Sequence, residues 1–220
     1  MNNLIIVRGG GDLATGTIYK LYKCGFKVLV LEITNPSAIR RHVAFSEAVY
    51  EGTQKVEDLT CTLAKSVEEA KRRLENNELV MLVDSEGNSI SELQPFAVVD
   101  AILAKKNLGT RKDMAPITVG VGPGFVVGEH VDAVVETLRG HNLGRVIYDG
   151  AAVKNTGIPG EIAGFGKERV IHSPAAGYLK SVKKIGDLVK KEEVIAYIQN
   201  EEEKLIETEY DLDSLIFEIN

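Results

Sequence analysis

The residues best suited to chemistry lie at the start of the chain. Gly9, Gly10, Gly11, Asp12, Leu13 and Ala14 form the pattern G-x-G-x-x-A directly after the apolar run Leu4-Ile5-Ile6-Val7. Glycines at such a turn let the backbone approach a pyrophosphate closely. A helix starting behind them turns unpaired amides and the positive end of its dipole toward an anion. Glu32 closes the next apolar run, roughly 20 residues on, where an acid that holds a ribose commonly sits. Arg8 stands in front of the loop, where a guanidinium can contact a phosphate, and Gly16 continues the candidate site into the helix. Asp12 would repel a phosphate. A second reading therefore stays open, in which the glycines serve only close helix packing and Asp12 caps the helix.

A strand, a turn and a helix are needed to position these residues, and the sequence supplies them. Leu13, Ala14, Ile18, Leu21 and Tyr22 recur near the 3.6-residue period of a helix, and Gly25 follows as a stop. Residues 27–31 form a second buried strand. Further on, the pattern predicts a helix over 66–76, a strand over 79–83 and a helix over 95–106 with Pro95 in its first turn. Strands are expected at 117–121, 133–137 and 145–148. This alternation predicts an α/β fold: a Rossmann-like layered domain with a mostly parallel sheet over residues 1–168. From Val170 onward the pattern turns to short strands without helical period, which predicts a small β module over 169–220.

Three further constellations carry candidate groups. Arg40, Arg41 and His42 follow Pro36, and paired arginines suit bidentate recognition of phosphate or carboxylate. Gly122, Pro123, Gly124 and Phe125 follow a buried strand, at the kind of strand end where open α/β sheets bind ligands. Glu136, Arg139, Gly140 and His141 combine an acid, a base and an imidazole able to move protons near neutral pH. Each has a plain alternative as solvated charge or a tight turn. The four histidines show no metal-ligand spacing, so no metal site is expected. Cys24 and Cys61 are far apart and read as buried thiols.

Charge narrows the partners. Lys and Arg number 26 against 32 Asp and Glu, a net charge of −6. That balance argues against a non-specific nucleic-acid binder, which needs a basic surface. The acid is concentrated in residues 201–220, with eight acids against one base, Lys204; the rest of the chain is close to neutral. No apolar run reaches the roughly 20 residues a membrane helix needs, so no membrane partner is expected. With few cysteines and no signal-peptide pattern, the expected location is cytoplasmic.

The joint order of several motifs resembles the YqeB group, accessory proteins of the selenium-dependent molybdenum hydroxylase system. The motifs are residues 8–16; 38–41 with 44–50; 99–107, from Val99-Asp100-Ala101 to Lys105-Lys106-Asn107; 122–125; 134–137; 139–146; and 156–160. The resemblance implies a cytoplasmic maturation protein whose partner is a client molybdenum hydroxylase. It supports Arg40, Arg41, Gly122, Gly124, Phe125, Arg139, Gly140 and His141 as site residues and adds Asp100 and Lys105. The expected cofactor is a nucleotide or a molybdopterin-type cofactor, a small nucleotide-like ligand held at residues 9–16. One alternative is a nucleotide-dependent enzyme with His141 as acid–base; another is an interaction scaffold that holds no small ligand. Residues 170–198 are also similar to half of a biotinyl/lipoyl hammerhead, through Ser173-Pro174-Ala175-Ala176-Gly177 and Ile185-Gly186-Asp187-Leu188-Val189. No modifiable lysine flanked by methionines is present. The second half-hammerhead expected after residue 200 is missing its Gly and Arg turn, so the module reads as incomplete with an acidic end.

Overall fold

The structure, a computed structural model, describes residues 3–155, 157 and 171–199, together with the backbone of 205–210 and 214–215. The chain divides into two compact units, Met1–Asn155 and Thr156–Asn220. The boundary expected at 168 falls outside the described residues, and of the 156–160 motif only Gly157 is described.

The first unit is α/β. Nine strands form one sheet in the order β3-β4-β5-β2-β1-β6-β7-β8-β9. They are β1 (Leu4–Arg8), β2 (Lys27–Glu32), β3 (Thr53–Val56), β4 (Leu59–Ala64), β5 (Leu79–Val83), β6 (Ala97–Asp100), β7 (Ile117–Val121), β8 (Ala133–Val135) and β9 (Val146–Ile147). Every neighbouring pair is parallel except the two edges, β3 on β4 and β9 on β8. The chain runs outward from β1 to β2, then returns to β6 on the other side of β1. The order thus reverses between β1 and β6.

The apolar runs explain the layering. Side chains alternate across a strand, so a run with no polar break buries both faces. Ile5, Val7, Val28 and Val30 face Ala14 and Ile18 of α1 (Asp12–Lys23), with Phe45 and with Ala48 of α2 (Ala48–Glu51). Leu4, Ile6, Leu29 and Leu31 face Ala70 and Leu74 of α3 (Val67–Glu75), with Ile90 and Leu93 of α4 (Asn88–Leu93). Ser66 starts α3 by accepting the Glu69 amide on its hydroxyl at 3.2 Å, and the Glu69 carboxylate accepts the Lys65 amide at 2.9 Å. That reciprocal pair ties down the helix start.

One element differs from its sequence reading. Residues 95–106 are not a helix: β6 occupies Ala97–Asp100, in parallel register with β1. Ala97-Val98-Val99 completes the central sheet, and the segment beyond adopts left-handed backbone at Leu103 (φ 60°) and Lys105 (φ 62°), which no right-handed helix contains. Burial beside β1 outweighs the helical spacing. β8 also stops sooner than expected, because Glu136 turns its carboxylate back onto the amides that follow.

The loop after β6 is held from below by Arg8, which the sequence offered as a phosphate contact. Its side chain is buried with Asp100, Nη1 lying 3.6 Å from the Asp100 carboxylate. Nη1 donates to Thr110 Oγ1 at 2.5 Å, and Thr110 Oγ1 donates to Asp100 Oδ2 at 2.5 Å. Nη2 donates to the carbonyls of Ser85 (3.1 Å) and Leu108 (3.3 Å). Asp100 also accepts the Ile102 amide at 3.1 Å. Arg8 and Asp100 thus serve the fold, tying the loops after β5 and β6 to β1.

The second unit is built from β10 (Tyr178–Ser181), β11 (Leu188–Val189), β12 (Glu193–Gln199), β13 (Leu205–Tyr210) and β14 (Ser214–Leu215). β12 pairs antiparallel with β10 and β13, and β11 with β14. Val189, Ile195 and Ala196 form its small core. The acidic end thus contributes a strand in β13, Leu205-Ile206-Glu207-Thr208-Glu209-Tyr210.

Removing Asp100 leaves the Arg8 charge buried without its counterion. Asp100→Ala is expected to lower stability by about 3–5 kcal/mol, read as a lower urea midpoint at unchanged m-value. Thr110→Val, which removes only the bridging hydroxyl, is expected to cost about 1–3 kcal/mol.

Candidate functional site

The glycine loop is shaped by what lies behind it. Gly9 has φ of 92°, and a Cβ there would come within 2.8 Å of Ile102 Cα and 2.9 Å of the Ala101 carbonyl. The two strand ends at the sheet's reversal point are therefore in backbone contact. Gly10 is also enclosed: a Cβ would lie 2.8 Å from Met81 Cε and 3.2 Å from Ser46 N. Gly11 differs. It is the residue from which α1 starts, and a Cβ on it would meet nothing within 4 Å. The opening thus lies over Gly11 and the first turn of α1, whose amides have no partner within the helix.

Residues distant in sequence converge on this opening. The Ser46 amide donates to the Gly10 carbonyl at 2.8 Å. The Phe45 amide donates to Thr15 Oγ1 at 2.9 Å, and Thr15 Oγ1 donates to the same Gly10 carbonyl at 3.3 Å. Segment 40–47, with Arg40, Arg41 and His42, is therefore laid along the start of α1. Arg40 Nη1 forms an ion pair with Asp12 Oδ2. Asp12 is the first residue of α1 and not its cap, a place held by Gly11. From the other side Glu32 accepts the Gly10 amide on Oε2 and the Ile33 amide on Oε1, each at 2.8 Å. The Ser46 hydroxyl is fully buried and has no hydrogen-bond partner among the described residues.

The structure thus brings Gly9, Gly10, Gly11, Asp12, Glu32 and Arg40 to one place, and Arg41 follows Arg40 in the turn Arg41–Val43. Gly16 sits further along α1, exposed on the helix surface. Lys105 is exposed in the loop after β6. Gly122 and Gly124 let the loop after β7 close onto its neighbours. A Cβ on Gly122 would lie 2.9 Å from Thr137 Oγ1, and one on Gly124 would lie 2.7 Å from Lys106 Cα. Phe125 is core, packed with Val131, Val134 and Ala152. Arg139, Gly140 and His141 are exposed in the turn between β8 and β9, apart from the residues on the glycine loop. Cys61 is buried, and burial pushes its thiol well above the usual range. Cys24, expected to be buried, is exposed at the end of α1.

Two acids, Asp84, which no candidate constellation included, and Glu136, offered as part of an acid–base group, prove to be organisers of backbone. Asp84 follows β5 and accepts the amides of Gly87, Asn88 and Ser89 at 2.8–3.0 Å, with the Ser89 hydroxyl at 2.7 Å. Glu136 follows β8, is buried, and accepts the amides of Thr137, Leu138 and Val153 at 2.7–2.9 Å. Burial alone would raise both carboxyls, but these hydrogen bonds outweigh it and hold both below the ordinary range. Beside Asp84, a cleft of about 320 Å³ is lined by Lys65, Ser66, Val67, Leu82, Val83, Asn88, Ser89 and Glu92. Near Arg41, Glu47 is shifted upward, chiefly by burial and against the lowering effect of Arg41. Among the described residues no group of three or more His, Cys, Asp or Glu could hold a metal ion. No helix there is long and apolar enough to cross a membrane.

A parallel sheet that reverses between β1 and β6, with a glycine turn leading into the first helix, defines a doubly wound α/β protein. Within that class, the chain is 50% identical over 203 residues to the uncharacterized protein YqeB of Escherichia coli (strain K12). The match covers 92% of this chain and 38% of the relative, so the chain spans about two fifths of that protein's length. No family model and no solved structure matches.

Two outcomes follow from this geometry. Gly9→Ala meets backbone on two sides at a positive φ and is expected to lower stability by about 2 kcal/mol or more. Gly11→Ala is expected to cost under about 1 kcal/mol; chemical denaturation compares the two. Asp84 and Glu136 are depressed in the folded chain, so their contribution is complete above the ordinary carboxylate range and is lost as pH falls through the lower folded values. Stability is therefore expected to decline below about pH 4. Asp84→Asn and Glu136→Gln should each flatten that decline in a series of urea midpoints against pH.

Proposed function

We propose that this chain binds a phosphate-bearing ligand, a nucleotide or the pyrophosphate of a dinucleotide-type cofactor, at residues 9–12. The observation that carries the reading is the convergence of segment 40–47 on the glycine loop. One of its two arginines, Arg40, arrives from some 30 residues away in sequence at the part of the loop where backbone stays open. The first-turn amides of α1 and the Arg40 guanidinium would meet the anion. Glu32, fixed at the lip by two amides, would meet a ribose. The unpaired Ser46 hydroxyl beside Gly10 is a buried polar group left for a ligand or water to satisfy.

The resemblance to the YqeB group extends this to a role: an accessory protein in maturing selenium-dependent molybdenum hydroxylases. In that role the ligand would be a nucleotide or a molybdopterin-type cofactor and the partner a client hydroxylase. The second unit, similar in sequence to half a biotinyl/lipoyl hammerhead, would serve client docking. The exposed placement of His141, away from the glycine loop, favours binding over acid–base catalysis.

Calorimetry of the pure chain with ADP, NAD, CTP and inorganic pyrophosphate tests the binding reading. At least one of them is expected to release or absorb heat and raise the melting temperature, and Arg41→Ala should weaken that ligand several-fold with stability intact. No heat and no melting shift with any of the four would falsify it.

A further inference from the structure

The Arg40–Asp12 pair poses a problem for any anion at this loop. Asp12 sits at the first position of α1, where its carboxylate would face the incoming charge, and the same Asp12 holds Arg40. Both side chains are partly exposed, with 43% of Arg40 and 28% of Asp12 accessible. Their pairing therefore contributes little to folding. Arg40 also starts the short turn Arg41–Val43, so its backbone is anchored while its side chain reaches across to α1.

We infer that Asp12 is a built-in competitor for Arg40: without ligand it stands in for the anion, and binding moves the guanidinium from the Asp12 carboxylate to the ligand phosphate. This rests on reading the loop as an anion site. It goes further by assigning opposite roles to two neighbouring residues, Arg40 as the group that selects the anion and Asp12 as the one that lowers its affinity. Three features fit it. Gly10 and the Gly9 backbone are already occupied by Glu32 and by the loop after β6, so the free amides are those next to Asp12. The opening at Gly11 admits a group beside the pair. The Ser46 hydroxyl, buried and without a hydrogen-bond partner among the described residues, belongs to the residue whose amide bonds the Gly10 carbonyl. No covalent step is involved; one ion pair is exchanged for another.

The two parts of Asp12's effect can be separated. Simple repulsion of the ligand acts whether or not Arg40 is present, whereas competition for Arg40 requires it. Calorimetry with ADP and with inorganic pyrophosphate on the wild type, Asp12→Asn, Arg40→Ala and the double variant reads this directly. Asp12→Asn is expected to bind more tightly than the wild type. Its gain should be about two- to five-fold larger with Arg40 present than in the Arg40→Ala background, the range of an exposed ion pair. Arg40→Ala alone should bind most weakly. Melting temperatures confirm that all four chains fold. Equal gains in the two backgrounds would leave repulsion alone and overturn the exchange, as would an unchanged or weaker Asp12→Asn, while the site reading stood. No binding by any of the four chains would sink the site and the exchange together.

Discussion

The buried pairing of Arg8 with Asp100 is the interaction on which the ligand-facing edge depends. A guanidinium and a carboxylate removed from water are tolerable only when their remaining hydrogen-bonding capacity is filled. Here Thr110 bridges them, and the carbonyls of Ser85 and Leu108 take the outer nitrogen. The consequence is geometric. Three loops, after β1, β5 and β6, are referred to a single side chain at the centre of the sheet. Because Arg8 immediately precedes Gly9, the glycine loop inherits its position from that network. The Arg8 Nε has no partner, so the network is near saturation without being complete.

Much of the fold was legible because burial on two faces leaves an unmistakable trace. Leu4-Ile5-Ile6-Val7, Val28-Leu29-Val30-Leu31 and Leu79-Val80-Met81-Leu82-Val83 admit no amphipathic reading, and each is a central strand. Residues 95–106 were less legible because Pro95 opens a helix as readily as it precedes a strand, and Ala97-Val98-Val99 is too short for period to decide. What decides is a vacancy beside β1, a tertiary fact. The site was legible in its parts and not in its assembly. The loop and the arginine pair could each be named, but no spacing rule joins Gly10 to Ser46. That contact is made by a 3₁₀ turn packed on α1. Arg8 misled for the opposite reason: proximity to a phosphate-type loop is one use of an arginine, and a buried counterion is another.

A signal for Asp84, absent from the candidate constellations, does lie in the sequence. Four apolar runs end in an acid: Leu31-Glu32, Val83-Asp84, Val99-Asp100 and Val135-Glu136. In the structure each acid stands at the C-terminal end of a parallel strand and accepts amides from the loops there. The pattern has a physical origin. Parallel strands end with loops that must turn sharply, and a carboxylate at the turn satisfies two or three backbone donors at once. These acids are therefore organisers of backbone first.

That role also determines where an anion can bind. The carboxyl end of an open α/β sheet is the usual place for a ligand, yet here it carries four carboxylates, and a phosphate near them would be repelled. Each carboxylate is matched by donors, which mutes its charge locally. The same matching removes those amides from any ligand's reach. Donors remain at the first turn of α1, where Gly11 leaves the surface open, and the acid at that point, Asp12, is neutralised by a partly exposed side chain, unlike Asp100, whose arginine is buried. A side chain can move where a turn cannot. The contrast between Asp12 on a partly exposed arginine and Glu32, Asp84, Asp100 and Glu136 on buried or backbone donors singles out this corner of the edge as the one where a ligand can exchange with a side-chain partner.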